Sequence, residues 1–125
     1  MEDEFGRRMR GKLGVTFDPF QDRIRIHGST AEALGQSEYF RFLFNPQKGM
    51  FAVQACGAKD QGAERLCQAS EGERRYVNSA WLVRYIYDAC GWRKSRSRRA
   101  YGILRGEHGL VEFNLKEAAE IDRES

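Results

Sequence analysis

The chain has 125 residues, enough for one domain whose buried core needs no metal or disulfide to hold it. Apolar residues make up 41%, aromatic residues 12% and charged residues 31%, a balance that excludes a disordered chain and describes a globular one. The formal charge is +3 and unevenly spread: Gly91 to Arg105 carries Arg93, Lys94, Arg96, Arg98, Arg99 and Arg105 with no acid, whereas Gly106 to Ser125 carries six acids against Lys116 and Arg123.

A basic body with an acidic tail suits an anionic partner, although a lopsided solvated surface has the same composition. No segment approaches the roughly 20 apolar residues of a membrane helix. The acidic opening Met1–Glu2–Asp3–Glu4 is unlike the basic start of a signal peptide. Cys56, Cys67 and Cys90 contain no CxxC and, being odd in number, cannot all pair internally. They read as free thiols of a cytoplasmic protein.

Residues 1–11 read as a flexible basic arm carrying Arg7, Arg8 and Arg10, and residues 12–125 as a single α+β domain. From Lys12 to Phe17, Leu13, Val15 and Phe17 share one face by the two-residue period of a strand. Asp18–Pro19 turns the chain into a second strand, Arg23 to His27, with Ile24 and Ile26 inward and Arg23, Arg25 and His27 outward. Ser29 and Glu32 have the spacing of a capping box, and Gly35 can end that short helix in a left-handed conformation. Tyr39 to Phe44 and Met50 to Cys56 predict a hairpin turned at Asn45–Pro46–Gln47–Lys48–Gly49.

Gly57 to Arg74 is polar and fits either a short helix over Asp60 to Ala69 or a mobile loop. Tyr76–Val77 predicts an edge-like strand. A helix over Ala80 to Cys90 follows, capped by Asn78 or Ser79 and ended by Gly91. Its narrow polar face, centred on Arg84 and Asp88, predicts that it is mostly buried. Tyr101 to Arg105 and Leu110 to Phe113 form a second hairpin through Gly106–Glu107–His108–Gly109. Asn114 caps a predicted final helix from Leu115 to about Arg123. The resulting expectation is an antiparallel sheet with two hairpins, one central buried helix and a C-terminal helix. Two strand–strand–helix segments hint at internal duplication, and no unit recurs often enough for a solenoid.

Catalytic chemistry finds no support in these residues. Three cysteines and two histidines lack zinc-ligand spacing. Gly6, Gly11 and Gly14 do not follow a strand and open a helix, and there is no GxxxxGK[ST] run. No carboxylates form a defensible acid–base pair. A nucleophilic Cys56 with His27 would require their strands to meet. No catalytic residue, cofactor or metal is therefore predicted.

The sharpest signal is the loop Trp92–Arg93–Lys94–Ser95–Arg96–Ser97–Arg98–Arg99. Guanidinium forks match phosphate oxygens, and Trp92 could stack on an unpaired base. The expected nucleic-acid contacts are Arg93, Lys94, Arg96, Arg98 and Arg99. Arg23 and Arg25, and Arg7, Arg8 and Arg10, extend that surface if the patches converge. DNA is the first expected partner and RNA the second. An acidic protein surface bound by an adaptor or inhibitor, or a merely solvated turn, are the rivals.

The run Asp22–Arg23–Ile24–Arg25–Ile26, then Ala33–Leu34–Gly35 and Tyr39–Phe40–Arg41–Phe42–Leu43, resembles the AbrB/MraZ-like swapped-hairpin transcription regulators. The resemblance covers about residues 13 to 55. It departs where His27–Gly28 replaces the usual proline. It implies a homodimer that binds DNA through basic surface residues, here Arg23 and Arg25, and a regulatory role.

Overall fold

The structure is a computed structural model that describes residues 12–68 and 75–121. The basic arm with Arg7, Arg8 and Arg10 lies outside the described residues.

Strand β1 (Leu13–Asp18) turns through Pro19 into β2 (Arg23–Ile26), and Val15, Phe17, Ile24 and Ile26 all point into the core. The short helix α1 (Gly28–Ala33) leads to the hairpin β3 (Tyr39–Asn45) and β4 (Met50–Cys56). Phe40, Phe51 and Val53 are buried on its inner side. The polar stretch holds two short strands, β5 (Glu64–Arg65) and β6 (Cys67–Gln68), in place of the predicted helix or loop. β7 (Arg75–Asn78) enters helix α2 (Ala80–Cys90), and β8 (Ser97–Arg105) and β9 (Leu110–Asn114) form the second hairpin. The last element is β10 (Ala119–Ile121).

Among the described residues all these strands join one sheet, in the order β5-β3-β4-β9-β8-β1-β2-β7-β6, with β10 added on β8. Leu66 alone separates β5 from β6, so one bent stretch of chain links the two ends of the sheet. The result is a nearly closed barrel of eight to nine strands with two short helices. Closure lets the inward residue of every strand meet the others in one core. Val15, Phe17, Ile24, Phe40, Val53, Val111 and Phe113 are all fully enclosed there.

The pairing shows an internal two-fold. Each half runs strand, strand, helix, strand, strand, with β5 and β6 together standing for one strand of the second half. Equivalent strands pair across the halves, β2 with β7 and β4 with β9, while β1 on β8 matches β5 on β3. Both helices end in the same way. Gly35 (φ 81°) and Gly91 (φ 69°) take left-handed conformations, with Gln36 N–H donating to Ala31 O at 2.8 Å and Trp92 N–H to Tyr87 O at 3.0 Å. Ala55 N–H donates to Gly109 O at 3.2 Å, and Leu115 N–H to Gly49 O at 2.8 Å. The sequence hinted at two strand–strand–helix segments; the repeat in the structure is instead a five-element unit whose second copy begins at β5, a strand the sequence reading did not contain.

Several expectations are corrected. Among the described residues the C-terminal helix is absent: Asn114 accepts from Lys116 N–H at 3.0 Å and caps only a 3₁₀ turn, Leu115–Glu117, before Ala119–Ile121 pairs with β8. β7 is no edge, because β2 and β6 flank it on both sides. Two hairpins are too small a description of a sheet this large. α1 starts at His27 with no side-chain cap, and Ser29 Oγ donates instead to Lys12 O at 2.7 Å. α2 is only half buried, for Leu82, Val83, Ile86 and Tyr87 face the core while Trp81 is 68% exposed. The likeness to AbrB/MraZ regulators is also overturned. A single chain closes this barrel, unlike that small swapped-hairpin fold, so the resemblance's reason for a dimer disappears. The RIRI run that suggested it is the alternation of any strand with one buried face.

Candidate functional site

Strands β8, β1, β2 and β7 lie side by side, and their inner residues fix which side chains must point outward. With Val15, Ile24, Ile26, Val77 and Ala100 on the core side, the opposite set is Thr16, Arg25, Tyr76 and Arg99, in which Thr16 is buried among its neighbours and the other three are half-buried. The register then decides who meets whom. Thr16 pairs with Arg25 on one side and Arg99 on the other, and Arg25 pairs with Tyr76. One row across four strands therefore reads Arg99, Thr16, Arg25, Tyr76.

The next row is Tyr101, Gly14, His27, since Tyr101 pairs with Gly14 and His27 N–H donates to Gly14 O at 3.2 Å. Gly14 has a steric role: a Cβ there would strike the His27 ring. The ring lies in that space with Nε2 at 2.8 Å from Thr16 Oγ1 and its edge toward Tyr101. Burial, then the charges of Arg99 and Arg25, push the His27 pKa below its ordinary value. His27 is thus neutral near pH 7, wedged among cations.

Aromatic rings flank these cations. The Lys12 ammonium sits 4.9 Å from the centre of the Tyr101 ring, and the Arg23 guanidinium 3.8 Å from that of Tyr76. Arg99 lies 3.4 Å from the Tyr101 hydroxyl. Arg25 pairs with Asp18 at 2.9 Å, while the other Asp18 oxygen accepts from Phe20 and Gln21 N–H and so holds the β1–β2 turn. Lys12, Arg23, Arg25 and Arg99 thus gather on one outward face with Asp18 at its margin.

The predicted loop is arranged differently from a free basic loop. Ser97, Arg98 and Arg99 belong to β8. Arg93 grips Glu120 of β10 through two bonds, 2.8 and 3.1 Å, and Arg98 adds a third at 3.1 Å. These cations, with Arg96 nearby, hold the Glu120 carboxyl below the usual range, and the Glu120 bond raises Arg93. Lys94 pairs with Asp88 at 2.9 Å. The half-buried Trp92 ring packs on Phe17 and Tyr87 with Arg98 over it, so it is held against the core. Arg23, Arg25 and Arg99 therefore converge, whereas Arg93 and Arg98 fasten the C-terminal strand. Thr16, Tyr76 and Tyr101 are site residues that the sequence did not single out. The alternation within each strand was visible, but only the register aligns them.

β2 and β4 are not neighbours, so strand pairing does not bring Cys56 to His27. Among the described residues, no three His, Cys, Asp or Glu side chains gather to hold a metal ion, and no helix is long and apolar enough to cross a membrane. Compared with protein-family models, curated proteins and solved structures, the chain matches none of them.

Proposed function

We propose that the protein is a non-catalytic nucleic-acid-binding protein with a regulatory role, which docks the phosphate backbone on the outward face of β8, β1, β2 and β7. The observation that carries this reading is the row in which Arg99 and Arg25 flank Thr16, with Lys12 and Arg23 at either end. Phosphate oxygens accept from several such donors at once, and each neutralised phosphate releases counterions. The contacts are phosphate contacts, so they position the ligand and carry no base sequence. DNA is the first partner to test and RNA the second. The three free thiols, Cys56, Cys67 and Cys90, agree with a reducing, cytoplasmic setting.

Binding to DNA and RNA over a salt series tests the reading. Arg25→Ala with Arg99→Ala lowers the slope of log affinity against log salt by about 2, one unit per lost phosphate contact. Arg93→Ala with Lys94→Ala, which lie off this face, changes the slope by less. An unaltered slope in the first pair removes the site, and no binding at low salt removes the function.

The second reading is a protein-binding module. Trp81, 68% exposed, and Tyr85, 45% exposed, stand one turn apart on α2, and tryptophan and tyrosine are the residue types that anchor protein interfaces. A stable protein complex lost in Trp81→Ala, with no nucleic-acid affinity, favours this alternative.

A further inference from the structure

We infer that the ligand of this outward face is a single-stranded nucleic acid, held by phosphate contacts to Arg25 and Arg99 and by base stacking on Tyr101 and Tyr76. The inference rests on the nucleic-acid reading above and narrows it to one class of ligand.

The argument begins with what the face presents besides charge. Tyr101 is 44% exposed on β8, and Tyr76 lies on β7, partly covered by Arg23. β1 and β2 stand between their strands and Tyr101 lies one row further along than Tyr76, so the two positions are about 16 Å apart, with Arg99 beside Tyr101 on β8 and Arg25 beside Tyr76 on β2. A cation already rests on each ring, Lys12 on Tyr101 and Arg23 on Tyr76. The face therefore sets a ring and an arginine side by side at each of its two ends, an arrangement that suits a strand whose phosphates and bases both reach out.

A duplex cannot use half of it. Paired bases stack on one another and offer edges in the grooves rather than faces. A major groove about 12 Å wide admits a helix or a two-stranded ribbon, and this face is four closed-barrel strands wide. A duplex meets only the arginines and leaves the rings idle. An unpaired strand meets both, and base–aromatic stacking contributes about 1–3 kcal/mol for each base.

Fluorescence anisotropy of the full chain with labelled oligothymidylate, oligouridylate and a duplex of the same length tests the inference. Both single strands bind about tenfold or more tighter than the duplex. Tyr101→Leu and Tyr76→Leu keep apolar bulk but remove the ring, and each weakens single-strand binding about tenfold while duplex binding stays unchanged. Tyr101→Phe and Tyr76→Phe keep the ring and restore the affinity. Arg25→Ala with Arg99→Ala weakens all three ligands together. Melting curves accompany each variant, and Tyr101→Thr or Tyr76→Thr, ring-less and strand-favouring, replaces any leucine variant that melts early. Equal affinity for strand and duplex, indifferent to the tyrosines but lost with the arginines, overturns the single-strand inference and leaves the binding function standing. No affinity for any of the three overturns both. The oligothymidylate and oligouridylate arms separate DNA from RNA as the source of the strand.

Discussion

Individual residues are held here by close approach and by charge. Gly102 pairs with Phe113, and a Cβ there would collide with the carbonyl oxygen of Glu112 and the Phe113 ring. Gly102→Ala destabilises by about 2 kcal/mol or more, because backbone and a fully buried ring must both move. Gly106→Ala meets open space and stays within about 0.5 kcal/mol in the same urea titration. His27 sets a pH dependence. Burial and Arg99 depress its pKa below 6.5, so on acidification the unfolded chain takes up its proton first. Stability is therefore full above the unfolded value and falls as pH drops through 6.5 toward the folded one. Thermal midpoints between about pH 7 and pH 5 decline less in His27→Gln than in the parent chain. The role of Gly14 beneath His27 could not be read from the sequence, because it depends on two strands lying side by side.

At the scale of elements, α2 and β10 show two ways of attaching to the barrel. α2 is fixed by apolar burial, with Ile86 fully enclosed and Trp81 in solvent. Ile86→Ala costs about 2–5 kcal/mol in denaturant unfolding, and Trp81→Ala stays within about 0.5 kcal/mol. β10 is fixed by three backbone partners on β8 and by the clasp of Arg93 and Arg98 on Glu120. Glu120→Gln removes the charge and loosens that strand, so amide exchange speeds up over Ala119–Ile121 more than in β1 or β8. Because Glu120 titrates below the usual carboxylate range, the clasp is present above that range and opens as pH falls through the lowered value. This strand was misread as helix for a physical reason. Leu115, Ala118 and Ala119 have helical spacing, and Asn114 does cap a turn. The edge of β8 beyond β9 offers backbone partners that a helix would leave unused.

For the whole molecule, the exchange of strands between halves implies one cooperative unit. β2, β4 and β3 take β7, β9 and β5 of the second half as neighbours. Neither half has its sheet partners alone. Unfolding followed by far-ultraviolet circular dichroism and by tryptophan fluorescence, in which half-buried Trp92 packs against the core, gives coincident transitions. Much of this was legible in the chain. Period-two alternation identified β1 to β4, the left-handed glycines Gly35, Gly49 and Gly91 marked their turns, and apolar density marked α2. These are local properties, set by which conformations a residue and its near neighbours allow. Barrel closure by β5 and β6, the two-fold, the tying of Arg93 and Arg98 to Glu120, and the meeting of Arg25 with Arg99 across Thr16 belong to the tertiary structure. They join residues far apart in sequence, and register, which no local preference encodes, decides their neighbours.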